Sequence, residues 1–249
     1  MSDLQHPESR SFELVADVYE RSRPSYPQEA IDWIAAKLGL GSGTTVLDLG
    51  AGTGKLTRAL VETGARVIAV EPGDAMRAEL ERALPDVEAL RGAAEDVPLP
   101  DQSVDCIAVG QAFHWFRYDE AIPELYRVLR PGGGVGLVWY SRDPDNPLYD
   151  EISDLIAPFV PADRPDEDEW PRPLGESELF GTLEERRFPF VQELDTDTVA
   201  ERIASVSFVA AAPPEARREL DAAIRRAADE FGGRVPFAYV TRAYVSFAV

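Results

Sequence analysis

The chain predicts an α/β protein built on a doubly wound, mostly parallel sheet. Three observations carry that prediction. The apolar run Val46-Leu47-Asp48-Leu49 meets three glycines at alternate positions, Gly50, Gly52 and Gly54, and a helix-like segment follows. A second, β-branched run, Arg66-Val67-Ile68-Ala69-Val70, ends in Glu71. Further strand-like runs at 87–91, 103–110 and 135–140 then alternate with helix-like segments. Such alternation argues for parallel strands joined by crossover helices.

The elements follow in chain order. Phe12, Val15 and Tyr19 share one helix face. Pro24 ends that helix, and Pro27 opens another that runs to Leu38. The run before Gly50 is a strand, and the glycines form a tight turn into the next helix. Glycine lacks a Cβ, so it tolerates positive φ and lets a ligand lie against the backbone. Turns of this kind, at the carboxyl ends of parallel strands, are where open α/β sheets bind nucleotide-like ligands. The spacing then separates ligand classes. A dinucleotide fingerprint, G-x-G-x-x-G, would put its third glycine at Lys55, and a large charged side chain there argues against a nicotinamide site.

Glu71 stands about 20 residues beyond the turn, where an acid takes the hydroxyls of a ribose. A carboxylate accepts two hydrogen bonds from a vicinal diol. The plainer reading is a cap on a solvated strand end. Gly64-Ala65 stops the preceding helix, and Asp74 suits the N-terminus of the next one. Residues 87–91 read as a strand and 92–100 as a loop. Residues 103–110 form a buried strand, followed by Gln111-Ala112-Phe113-His114-Trp115-Phe116. Aromatic faces attract a cation and exclude water. An imidazole titrates near neutrality, so His114 suits a general base. Alternatively it orients its loop by hydrogen bonding, and Trp115 either lines a site or packs in the core.

A helix at 118–129, a stop at 130–134 and a strand at 135–140 come next. Residues 141–181 are rich in proline and acid, with a short helix at 148–159; they read as a surface lid. Tyr149, Phe159 and Trp170 either line a substrate pocket or anchor this segment. A strand at 183–190, a short helix at 198–205 and a helix from Pro213-Pro214 carrying Leu220, Ile224, Ala227 and Phe231 at helical spacing follow. Gly232-Gly233 stops that helix, and 235–249 alternates as a final strand.

Several of these segments carry a resemblance. Asp48-Leu49-Gly50-Ala51-Gly52-Thr53-Gly54, an acid-x-G-x-G-x-G pattern, resembles motif I of the class I S-adenosylmethionine-dependent methyltransferases. Gly92-Ala93-Ala94-Glu95-Asp96-Val97-Pro98 is similar to their Gly-Asp-Ala-Glu-x-Leu-Pro loop, with Ala93 where an acid would meet the adenine amino group. Glu95, or backbone groups of Ala94 and Glu95, would then serve. Ala112-Phe113-His114-Trp115-Phe116 resembles the small-molecule subgroup that includes trans-aconitate methyltransferase-like (methyltransferase type 11) proteins, at the motif IV position beside the methyl group. Tyr19 and Arg23-Pro24 are similar to that subgroup's Tyr-x-x-x-Arg-Pro. The resemblance lays Arg23 on the methionyl carboxylate and Tyr19 beside the methyl.

The resemblance implies a seven-stranded Rossmann-like sheet with an antiparallel last strand beside strand five, plus a helical cap and insertion. It divides the chain into an N-terminal helical cap (1–40), a cofactor-binding core (41–140), an insertion (141–181) and a C-terminal completion of the sheet (182–249). It implies S-adenosyl-L-methionine as cofactor, with contacts from Tyr19, Arg23, Asp48, Gly50, Ala51, Gly52, Glu71, Pro72, Met76, Ala94, Glu95 and Gln111. Phe113, His114 and Trp115 would meet the substrate, with His114 catalytic. The implied reaction is in-line methyl transfer to a small molecule, onto oxygen. Alternatives are a nicotinamide-dependent oxidoreductase and a non-catalytic cofactor-binding protein.

Composition bounds the partners. Lys and Arg number 25 against 45 Asp and Glu, a formal net charge of −20, which argues against nucleic acid and anionic membranes as partners. A single cysteine, Cys106, excludes an internal disulfide and a cysteine-based metal site, so no metal is expected and a reducing cytoplasm is. No apolar stretch is long enough to span a bilayer, and the start does not read as a signal peptide. A monomer or homodimer is expected.

Overall fold

The computed structural model describes residues 24–162 and 169–249. A seven-stranded sheet forms the centre: β1 (Thr45–Leu49), β2 (Arg66–Val70), β3 (Glu88–Leu90), β4 (Val104–Gly110), β5 (Leu129–Arg142), β6 (Glu184–Leu194) and β7 (Val235–Phe247). Their spatial order is β3-β2-β1-β4-β5-β7-β6. The first five pair in parallel, and β7 runs antiparallel between β5 and β6. Six strands therefore point one way and the last is inserted beside the fifth, as the sequence implied.

Period-two alternation sorts the side chains onto two faces. Val46, Val67, Cys106 and Val138 meet α1 (Gln28–Leu38) and α2 (Lys55–Glu62). Leu47, Leu49, Ile107 and Leu137 face the opposite side, where Ala121 and Leu125 of α4 (Tyr118–Val128) pack. Helix α3 (Asp74–Ala83) buries Leu80 against Ala69 and Ala51. Helix α1 begins after Pro27 and ends at Gly39, which takes φ 67°. It can lie flat on the sheet because β5 presents glycines beneath it: a Cβ on Gly136 would stand 2.8 Å from Ile34.

The segment 130–134 differs from the expected stop. Strand β5 already begins at Leu129, and its register on β4 shifts between Val104↔Leu129 and Cys106↔Gly134. The extra residues bulge out, with Gly132 at φ 79°, and the strand continues through them. A second cluster covers the far end of β7. There α5 (Tyr149–Ile156), α7 (Thr196–Ala204), α8 (Ser207–Ala210) and α9 (Pro214–Asp229) bury Ile152, Val199, Ile203, Phe208 and Ile224 against Tyr140, Phe237 and Tyr239. Between these lies the short α6 (Arg172–Glu176). Trp170, just before it, is buried against Phe113, Trp139 and Tyr244, so it anchors the insertion to the body. Among the described residues, no helix is long and apolar enough to cross a membrane.

Candidate active site

The site forms where β1, β2 and β4 end. Gly50 and Ala51 donate their N–H groups to the Val70 carbonyl at 2.9 and 3.1 Å, which draws the turn across the top of β2. Gly50, Gly52 and Gly54 take φ of 70°, 58° and 90°. The Cβ that Gly52 lacks would meet nothing within 4 Å, so its bare face opens onto free space. That space is a cavity of about 710 Å³. Its size is typical of small-ligand sites.

Glu71 closes the turn. The Gly52 N–H donates to its Oε2 and the Gly73 N–H to its Oε1, each at 2.8 Å. Two backbone donors thus fix the carboxylate at the cavity lip.

Asp48 is fully buried in the cavity wall. Thr57 donates its hydroxyl to Asp48 Oδ2 at 2.6 Å, while Oδ1 has no hydrogen-bond partner. Burial, assisted by the charge of Glu71 and opposed by the Thr57 bond, pushes its carboxyl up to about 7. The folded-state value lies above the ordinary one. The energetic cost of burying this group is therefore absent below about pH 4, grows as the pH rises from there to about 7, and levels off above it.

The cavity gathers Asp48, Gly50, Ala51, Gly52, Glu71, Pro72, Met76, Ala94, Glu95, Gln111 and Trp115 from the residues expected at the site. Tyr19 and Arg23 lie outside the described residues. Glu95 is half committed, because its Oε1 accepts the Arg117 N–H at 2.7 Å and so ties the 92–100 loop to the start of α4. Arg127 holds the same loop through the carbonyls of Val97 and Leu99 at 3.0 and 2.9 Å. Gln111 occupies a left-handed conformation, φ 59°, unusual for a residue with a side chain. Its Nε2 donates to the Tyr140 carbonyl at 3.1 Å, which locks β4 to β5 at the cavity floor.

Two of the three expected substrate contacts do not stand among the described residues of this cavity's wall. Phe113, His114 and Trp115 form one turn of 3-10 helix. With three residues per turn, successive side chains diverge in three directions. Trp115 lines the cavity. Phe113 is 1% exposed and packs on Phe116, Tyr118 and Trp170, so it belongs to the core. His114 is absent from the cavity wall and stands behind it, its ring 4.3 Å from that of Trp115 and 4.6 Å from Trp139, with Nδ1 buried. The catalytic role read for it from the sequence gains no support from this position.

Other wall residues carried no sequence signal of their own. Tyr26, in the turn before α1, and Tyr140, in β5, bring their rings to 5.8 Å of each other at one end of the cavity. Arg91, on the wall after β3, stands 3.8 Å from Asp74 of α3. A position-specific pattern would have been needed to single these out.

Residues 47–136 match the family model described as a methyltransferase domain. An uncharacterized methyltransferase of Mycobacterium tuberculosis is 42% identical over 209 residues, covering 84% of this chain and 82% of that protein. An uncharacterized methyltransferase-like protein of Schizosaccharomyces pombe is 35% identical over 224 residues, covering 89% and 85%. A solved structure from Anaeromyxobacter dehalogenans, described as a candidate type II methyltransferase, superposes with a TM-score of 0.66 at 27% identity, over 90% of this chain and 97% of that one. This similarity sets aside the nicotinamide oxidoreductase alternative. With the glycine turn, the clamped acid and the strand order on hand, the chain belongs to the class I S-adenosylmethionine-dependent methyltransferases.

Proposed function

We propose that the cavity binds S-adenosylmethionine and that the protein transfers its methyl group to a small-molecule acceptor, onto oxygen. The observation that carries this reading is the Glu71 carboxylate, held by the Gly52 and Gly73 N–H groups at the lip of the cavity. Glu71 would take the ribose hydroxyls. The bare backbone of Gly50, Ala51 and Gly52 would run beside the methionyl tail, with Asp48 beneath. Pro72, Met76, Ala94 and Glu95 would enclose the base. When bound, S-adenosylmethionine supplies a methyl group on a positively charged sulfur.

The chain's own contribution is to orient and to keep water out. Tyr26, Trp115, Phe116 and Tyr140 present aromatic surface to the cavity. Such faces favour a cation and exclude water. In-line displacement needs alignment above all, and holding two reactants in place accounts for much of the rate. Among the described residues, Gln111, Ala112, Trp115 and Tyr140 line the wall beside Tyr26.

Two expected results test the reading. S-adenosylhomocysteine at 100 times its dissociation constant should stabilise the fold by about 2.7 kcal/mol through binding linkage, seen as a rise in Tm that NADH does not produce. No rise, or an equal rise with NADH, rejects the cofactor assignment. His114→Gln should leave the pH dependence of turnover unchanged, since the ring stands behind Trp115. Loss of a rate inflection near pH 6–7 would restore the general-base role.

A further inference from the structure

Gln111, the residue after β4, stands on the cavity wall in a backbone conformation that side chains seldom enter, with φ 59°. Such outliers persist only where the surroundings hold them, and they cluster at sites that bind or react. Two bonds to β5 hold this one. Its N–H donates to the Val138 carbonyl at 3.0 Å, and its Nε2 donates to the Tyr140 carbonyl at 3.1 Å. On the other side, Gly110 makes room for Tyr26: a Cβ on Gly110 would stand 2.5 Å from the Tyr26 hydroxyl oxygen.

The bond to Tyr140 settles how the amide is turned. A carbonyl only accepts, so the NH2 group meets it and Oε1 lies away from it. No N–H or O–H of a described residue donates to Oε1. A ligand that meets this oxygen must therefore bring a donor. Strand order narrows which ligand that is. β1 lies between β2 and β4, so the ends of β2 and β4 stand about 10 Å apart, two strand spacings. In the reading above, Glu71 at the end of β2 takes the ribose, and the turn after β1 runs beside the methionyl tail. The sulfonium and the molecule it methylates then lie over β4 and β5. A sulfonium has no N–H or O–H, so the donor belongs to the acceptor.

We propose that Gln111 Oε1 accepts a hydrogen bond from the acceptor hydroxyl that is to be methylated, and that this selects an alcohol or phenol over a carboxylic acid. The proposal rests on the cavity being the cofactor site and on transfer to oxygen. At neutral pH a phenol, titrating near 10, keeps its proton, whereas a carboxylic acid, titrating near 4, has lost it. A carboxylate would set its oxygens against Oε1, acceptor against acceptor. The amide cannot turn its NH2 group to such a ligand without placing Oε1 against the Tyr140 carbonyl. The tie to β5 thus discriminates against the ionised acid as well as favouring the hydroxyl. On transfer, the hydroxyl oxygen forms a bond to the methyl carbon, the methyl–sulfur electron pair returns to sulfur, and the hydroxyl proton passes to water.

The test incubates the full chain with S-adenosylmethionine labelled in its methyl group and a protein-free metabolite extract. Mild alkali releases methanol from a methyl ester and spares a methyl ether, which hot hydriodic acid cleaves to methyl iodide. The label is expected to survive alkali and to distil as methyl iodide. Labelled methanol after alkali marks an ester; it overturns this proposal and leaves the cofactor reading standing. Label that resists both reagents lies on nitrogen or carbon, which overturns transfer to oxygen and this proposal with it. No label in any small molecule removes the proposed function altogether. Gln111→Met supplies a second readout, and the product chemistry decides even if that variant fails to fold. Its apparent KM for the acceptor, taken over dilutions of the extract, should rise about tenfold, while S-adenosylhomocysteine affinity by calorimetry changes less than about twofold. Weaker S-adenosylhomocysteine binding with an unchanged KM would assign Gln111 to the cofactor and overturn the proposal, as would no change in either.

Discussion

Replacing Glu71 with alanine is expected to weaken S-adenosylhomocysteine binding by about 1–3 kcal/mol, roughly 5- to 150-fold in affinity. Two losses contribute. The ligand loses an ionised acceptor for its ribose hydroxyls. The Gly52 and Gly73 N–H groups, each now 2.8 Å from a Glu71 oxygen, lose their partner. The second loss loosens the turn that shapes the cavity, so part of the effect should appear as slower association or a lower Tm without ligand. Glu71→Gln separates the contributions. Its amide keeps one acceptor oxygen but turns an NH2 toward one of the two backbone donors, so affinity should fall without full collapse of the turn. Calorimetry that finds the alanine variant binding like the wild type would remove Glu71 from the site, and with it the observation on which the proposed function stands.

Gly50→Ala should be among the most damaging single changes to stability. The residue sits at φ 70°, where a side chain is strained, and an added Cβ would stand 2.6 Å from the Cβ of Ala112. The left-handed backbone costs about 1–2 kcal/mol. Overpacking adds about 1–3 kcal/mol, because Ala112 lies on the loop that Gln111 and the Phe113–Trp115 turn hold in place. For a chain of this length the sum corresponds to a fall in Tm of about 10 °C. Gly52→Ala provides the control. It shares the positive φ, at 58°, but its Cβ would enter open cavity. It should cost about 1–2 kcal/mol of stability while interfering with the ligand. Equal thermal losses in the two variants would contradict the close approach of the β1 turn to the loop after β4.

How far the site could be read in advance depended on how local its geometry is. Asp48, Gly50, Gly52 and Glu71 belong to strand–turn units in which a few consecutive residues settle the backbone. An acid or a glycine at such a place has few physical reasons to be there. Met76, in the first turn of α3, and Ala94 and Glu95 of the 92–98 loop, which only the resemblance had pointed to, also line the cavity. The Phe113–Trp115 segment was harder. Its composition marked it as the end of a buried strand near a ligand. Which ring would face the cavity depended on a 3-10 turn whose pitch sends three neighbours in three directions.

The chain by itself determined the α/β class, the position of the glycine turn and the acid that ends the second strand. These follow from hydrophobic periodicity and from residues with narrow conformational uses, both written along the sequence. Tertiary structure alone decided that Tyr26 and Tyr140 share the cavity with Asp48, that His114 stands behind Trp115, and that Trp170 pins the insertion to the body. Those contacts join residues far apart in the chain. Their side chains could have served a core or a site equally well, and only packing in three dimensions distinguishes the two.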